Sequence, residues 1–85
     1  MNIDELKLTI TNNLKNRSEE VIRLFHGRGN FYKAYEFLTI DSINEVLLVC
    51  LYEKIPDGLQ DELTLLLEDI FKKYNFKSDI LQKKY

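Results

Sequence analysis

The run Val46-Leu47-Leu48-Val49-Cys50-Leu51-Tyr52 constrains this chain most strongly. It is too short for a typical isolated helix and rich in side chains that suit a pleated surface, so it predicts the central strand of a sheet. A strand open to water on one side alternates polar and apolar residues, and this one does not. The expectation is that both of its faces are covered, at least over Leu47 to Leu51.

The covering layers are found on either side of the run. Pro56-Asp57-Gly58 breaks the strand, and then Leu59, Leu63, Leu66, Leu67, Ile70, Phe71 and Tyr74 form a wide apolar stripe at helical spacing. Lys72 and Lys73 suit the negative end of that helix, and Asn75 suits a left-handed cap. Nearer the amino terminus, Ile3, Leu6, Ile10 and Leu14 predict a helix over about residues 3 to 16, with Asp4 and Glu5 at its positive end. Thr9 and Thr11 lower its propensity, and Asn12, Asn13 and Asn16 predict its fraying before Ser18.

Between the helices, Val21 to Phe25 predicts a first strand, with a helix end as the alternative, and Gly27-Arg28-Gly29-Asn30 a turn. A second strand is predicted over about residues 36 to 41, followed by the short polar connection Ser42-Ile43-Asn44-Glu45. The tail, residues 76–85, either returns as an edge strand, its lysines discouraging further pairing, or hangs free. The expected fold is α+β, one domain over residues 1–85: an N-terminal helix, an antiparallel sheet of three strands, or four if the tail pairs, and a C-terminal amphipathic helix. A chain of this length buries only about 60 to 65% of its extended surface, so its core is small and a large enclosed active site is not expected.

Charge and cysteine content narrow the function classes. Twelve basic and 14 acidic side chains leave a net charge of −2, so any attraction for nucleic acid has to be local. Cys50 is the sole cysteine, which excludes an intrachain disulfide and fits a reducing cytoplasm. Met1-Asn2-Ile3-Asp4-Glu5 lacks the basic start of a signal peptide, and no apolar run approaches the ~20 residues that cross a bilayer. A cytoplasmic location without membrane contact is expected.

One segment looks chosen for more than folding. Arg23-Leu24-Phe25-His26-Gly27-Arg28-Gly29 holds two of the three glycines and the only histidine. No Ser, Cys or Asp stands beside His26 to make it a general base, and a satisfied turn or strand-end histidine is the plainer reading. Gly27-Arg28-Gly29 either presents backbone N–H groups and a guanidinium to a phosphate or is a turn that needs positive φ. Arg23, Arg28 and Lys33 interleave with Phe31, Tyr32 and Tyr35 in the basic-aromatic pattern of RNA binders, for which the competing role of Phe31 and Tyr35 is to plug the end of the core.

The candidate contacts to RNA or a protein partner are therefore Arg23, His26, Arg28, Tyr32 and Lys33. No catalytic, cofactor-binding or metal site is expected. One His and one Cys cannot supply four zinc ligands, and the acidic residues of the second helix lack a calcium-loop spacing. Cys50 reads as a core filler.

Arg23-Leu24-Phe25-His26-Gly27-Arg28-Gly29, then Glu36-Phe37-Leu38-Thr39-Ile40-Asp41, then Val46 to Tyr52, resembles the segment just before the catalytic domain in SAM-dependent methyltransferases related to the ribosomal-RNA cytosine methyltransferases. Those enzymes carry an Arg-Leu-x-His-Gly-x-Gly turn, a strand ending Val/Ile-Asp, an apolar strand and a helix. The resemblance covers about residues 20 to 75, and Ile80-Leu81-Gln82-Lys83-Lys84 is similar to the strand that follows. This chain has Lys33-Ala34 where the family usually has Pro-Gly. The family's Rossmann domain, with its Gly-rich loop and catalytic cysteine, has no counterpart in the 85 residues. The resemblance thus implies a non-catalytic accessory domain, with RNA as the implied partner.

A second class of function stays open. If helices cover only one side of the sheet, the other side or a strand edge is free to pair with another chain, as in an adaptor or a homo-oligomer.

Overall fold

The computed structural model describes residues 2–15, 20–27 and 35–85. Along the chain these form α1 (Ile3–Lys15), β1 (Val21–His26), β2 (Leu38–Ile43), β3 (Val46–Leu51), α2 (Gln60–Lys73) and β4 (Ser78–Lys83). Asn2 starts α1 by accepting the Glu5 N–H on its Oδ1 at 2.9 Å, which satisfies one of the four amide groups a helix start leaves free. Leu6, Ile10 and Leu14 are the buried stripe of α1. Asn13, expected to weaken the helix end, instead donates from Nδ2 to the Leu24 carbonyl of β1 at 2.8 Å.

That bond meets an irregularity in β1. The register against β2 slips between Arg23 and Phe25, a bulge that leaves Leu24 without a strand partner. An unbroken strand alternates its faces, yet here the consecutive residues Leu24 and Phe25 are both buried. The bulge keeps Arg23 and His26 on the opposite face from Phe25, and Asn13 takes up the carbonyl at the slip.

The sheet order is β1-β2-β3-β4. β1 and β2 are antiparallel, as are β2 and β3, but β4 runs parallel to β3. The sheet is therefore mixed, not purely antiparallel, and the tail is its edge strand. The reason is topological: a strand reached through a helical crossover enters from the same end as the strand it left. β2 also lies two residues further along than expected. Ser42 and Ile43 pair with Leu47 and Val46, shrinking the connection to Asn44-Glu45. Asn44 takes φ 54°, the left-handed region that Asn tolerates.

At the other end of α2, Asn75 has φ 57° and donates its N–H to the Lys72 carbonyl, while Phe76 donates to the Phe71 carbonyl at 3.2 Å. These are the paired bonds of a Schellman cap, and the buried Phe76 supplies its apolar contact. The same cap turns the chain directly into β4.

One face of the sheet carries the core. Phe25, Leu38, Ile40, Leu47, Val49 and Leu51 form a single apolar cluster with Leu6, Ile10 and Leu14 of α1 and Leu63, Leu66 and Ile70 of α2. Both helices lie on this face. The expectation that both sides of β3 are covered is thus corrected: among the described residues, Val46 and Leu48 point to a face without a helix and are half-buried. Cys50 on that face is buried at the centre of the sheet, between Thr39 and Gln82 on the flanking strands.

Candidate functional site on the open sheet face

Strand register sorts the open face into three rows. His26, Thr39, Cys50 and Gln82 form one row across all four strands; Arg23, Asp41, Leu48 and Ile80 form the next; Val21, Ile43, Val46 and Ser78 form the third. Two of the candidate contacts, Arg23 and His26, are brought together here. Arg28, Tyr32 and Lys33, together with Gly29 and Phe31, lie outside the described residues.

Arg23 and Asp41 sit opposite one another and pair through both forks. Nε donates to Oδ1 at 2.7 Å and Nη2 to Oδ2 at 3.1 Å. The third donor, Nη1, lies 3.0 Å from His26 Nδ1. A guanidinium only donates, so Nδ1 is the acceptor of this contact. The hydrogen bond to Asp41, partly opposed by desolvation, raises the Arg23 pKa above its ordinary value and holds the charge in place. Arg23 is consequently neutralised within the chain, and its charge serves the sheet before any outside anion. Arg23 thus orients the His26 ring.

Gly27 follows at once, and its role is steric. It does not adopt positive φ, as a plain glycine turn would. Its N–H donates to the Leu38 carbonyl at 2.9 Å, and a Cβ in its place would overlap the Tyr35 carbonyl and come within 2.7 Å of the Leu38 oxygen. Only glycine lets the two backbones approach this closely.

Tyr35 belongs to the core rather than to a stacking platform. It is 3% exposed, edge-on to Phe25 with ring centroids 6.2 Å apart and stacked on Phe37 at 6.1 Å. Burial raises its phenol pKa, and the carboxylates Glu62 and Glu5 add to that. A phenol held neutral in the fold stabilises fully below the unfolded pKa of about 10, and that stability is lost as pH rises through the higher folded value. Denaturation measured across this window is expected to show the wild type losing stability more steeply than Tyr35→Phe. Parallel curves would mean that the phenol is not desolvated.

Two further features escaped the residue pattern. Thr39 is 1% exposed and its Oγ1 has no hydrogen-bond partner among the described residues. Cys50 Sγ contacts Gln82 Oε1 at 3.7 Å, a weak thiol donor contact across β3 and β4. Asp41, partner of the candidate site's best-placed cation, was legible only as the end of a strand. Its pairing with Arg23 is a matter of register, which no local signal marks.

Among the described residues, no group of three or more His, Cys, Asp or Glu side chains is arranged to hold a metal ion. No described helix is long and apolar enough to cross a membrane. The sequence matches no protein-family model and no curated protein.

Proposed function

We propose that this chain is a non-catalytic binding domain of the kind that precedes the catalytic domain in SAM-dependent ribosomal-RNA methyltransferases, and that it contacts RNA through the basic segment after β1. One observation carries the reading: the residues that make up the resemblance are partners of one another. Arg23 binds Asp41 and His26, and Gly27 closes the backbone against Tyr35 and Leu38. Residues engaged in this way serve as scaffold for what they flank, and what they flank in sequence is Arg28, Tyr32 and Lys33. Phosphate contact by the two cations and stacking on the tyrosine are the chemistry such a segment offers to single-stranded or looped RNA.

The test is fluorescence anisotropy with a labelled ribosomal-RNA stem-loop at low salt. Arg28→Glu with Lys33→Glu is expected to weaken binding by about 10-fold or more and to flatten its salt dependence. Unchanged affinity in the double variant, or no binding by the wild type, would sink the RNA reading. A protein partner is the second reading, favoured by both described helices' lying on one face of the sheet.

A further inference from the structure

β4 is the most exposed element of the fold. All six of its residues are exposed, and β3 pairs with only one of its two edges. Lys84 donates its N–H to the Leu51 carbonyl, so by the two-residue period of a strand Ile80 and Gln82 also direct their backbone groups at β3. Asp79, Leu81 and Lys83 direct theirs outward. The same three residues share the helix-side face, since their β3 neighbours are Leu47, Val49 and Leu51.

We infer that this edge pairs with β4 of a second copy, antiparallel and centred on Leu81. About a two-fold axis through Leu81, residue 79 falls opposite residue 83 of the partner, and the partner's 79 opposite 83. The outward N–H and C=O groups then meet in hydrogen-bonded pairs, and each Asp79 faces the partner's Lys83, giving two such pairs across the dyad. Among the described residues neither Asp79 nor Lys83 has an ion pair within the chain.

Charge selects this register over its neighbours. Sliding the partner by two residues in one direction sets Asp79 opposite Leu81 and Lys77 opposite Lys83, a like-charge pair. Sliding it in the other direction sets Leu81 opposite Lys83 and Asp79 opposite Tyr85. In the centred register Lys84 meets Ser78, and Lys77, held by Glu45 at 3.1 Å, meets Tyr85, so no lysine faces another. Lysines on an edge ordinarily prevent pairing; here Asp79 answers Lys83 in a single alignment.

The apolar contribution fits the same axis. Leu81 is 59% exposed and lines, with Leu47, Val49 and Leu67, a groove of about 180 Å³ between α2 and β4. Two Leu81 side chains meeting on the dyad cover the mouths of both grooves. The result is a continuous eight-stranded sheet with helices on one face. This association is independent of RNA binding, and the two are read out separately.

Sedimentation equilibrium of the full chain from about 10 µM to about 1 mM, the range in which weak self-association registers, is expected to show a monomer–dimer equilibrium. Asp79→Lys alone and Lys83→Asp alone each place like charges opposite one another and are expected to weaken the dimer about 10-fold or more. Mixed in equal amounts, the two variants restore every opposite-charge pair and are expected to form a heterodimer within about 3-fold of the wild-type affinity. Leu81→Pro removes an outward N–H and leaves the ladder to β3 intact, so it is expected to give a folded monomer by circular dichroism. A wild type that is monomeric throughout overturns the inference, as does a dimer indifferent to Asp79→Lys or a mixture that fails to recombine.

Discussion

Gly27→Ala is expected to remove about 3 kcal/mol or more of stability, the scale of a backbone-level overlap in a packed site. The added methyl has no room, because the atom it meets is the carbonyl oxygen of Tyr35, with the Leu38 oxygen also within 2.7 Å. A flexible side chain could swing away from such a contact; a carbonyl moves only with its chain. Relief therefore requires parting β1 from β2 where Gly27 donates to Leu38.

A domain of 85 residues has roughly 4 to 13 kcal/mol in total, so this change takes a large share of it. Gly58→Ala provides the contrast. Gly58 has φ 83° with nothing within 4 Å of the added atom, so only the dihedral penalty of about 1 kcal/mol applies. Urea denaturation is the measurement, with the midpoint expected to fall much further for Gly27→Ala than for Gly58→Ala. Equal shifts would show that Gly27 is chosen for its dihedral freedom and not for close approach.

How much of this was legible in the residue pattern depended on whether a signal was local. The helices were readable within a residue or two at their ends because 3.6-residue periodicity, the Asn75 cap and the charged first and last turns all lie within one segment. Sheet orientation was less readable. Nothing in Ser78-Asp79-Ile80-Leu81-Gln82-Lys83 marks it as parallel, since direction follows from the crossover through α2.

The apolar run of β3 misled for a physical reason. Its open-face members Val46 and Leu48 are half-buried on a face that carries neither described helix, and Cys50 is buried on β3 between β2 and β4. The candidate site was legible in part. Arg23 and His26 do come together, but the residue that joins them to the sheet, Asp41, is 18 positions away from Arg23. The bulge that keeps both on the open face has no signature in Arg23-Leu24-Phe25, where polar and apolar residues read like any strand.

Phe25→Ala is expected to cost about 3 to 5 kcal/mol, the range for truncating a buried aromatic. Phe25 is 2% exposed, lies opposite Ile40 in the core cluster and meets the edge of Tyr35 at an interplanar angle of 82°. Its loss takes away the ring that Tyr35 meets edge-on, while Phe37 stacks on Tyr35, so the cavity opens where the chain enters β2. Asp41→Ala, by comparison, removes a bidentate pair whose cation is half exposed and is expected to cost about 1 kcal/mol at most.

The two changes act on opposite faces of the paired strands β1 and β2, which makes their difference informative about function. Asp41→Ala frees the Arg23 guanidinium while leaving the core intact, so the RNA affinity of the folded variant is expected to hold or rise by a few-fold as one more cation becomes available. Phe25→Ala is expected to broaden the unfolding transition and lower its midpoint while leaving every charge on the open face in place. The denaturation midpoints of the two variants and the RNA affinity of Asp41→Ala form the decisive set. A Phe25→Ala stability within about 1 kcal/mol of wild type would mean that the aromatic corner does not anchor β1, since a true core truncation at this burial exceeds that value. A large loss of RNA affinity in Asp41→Ala would instead make the carboxylate's hold on Arg23 and His26 part of the contact itself.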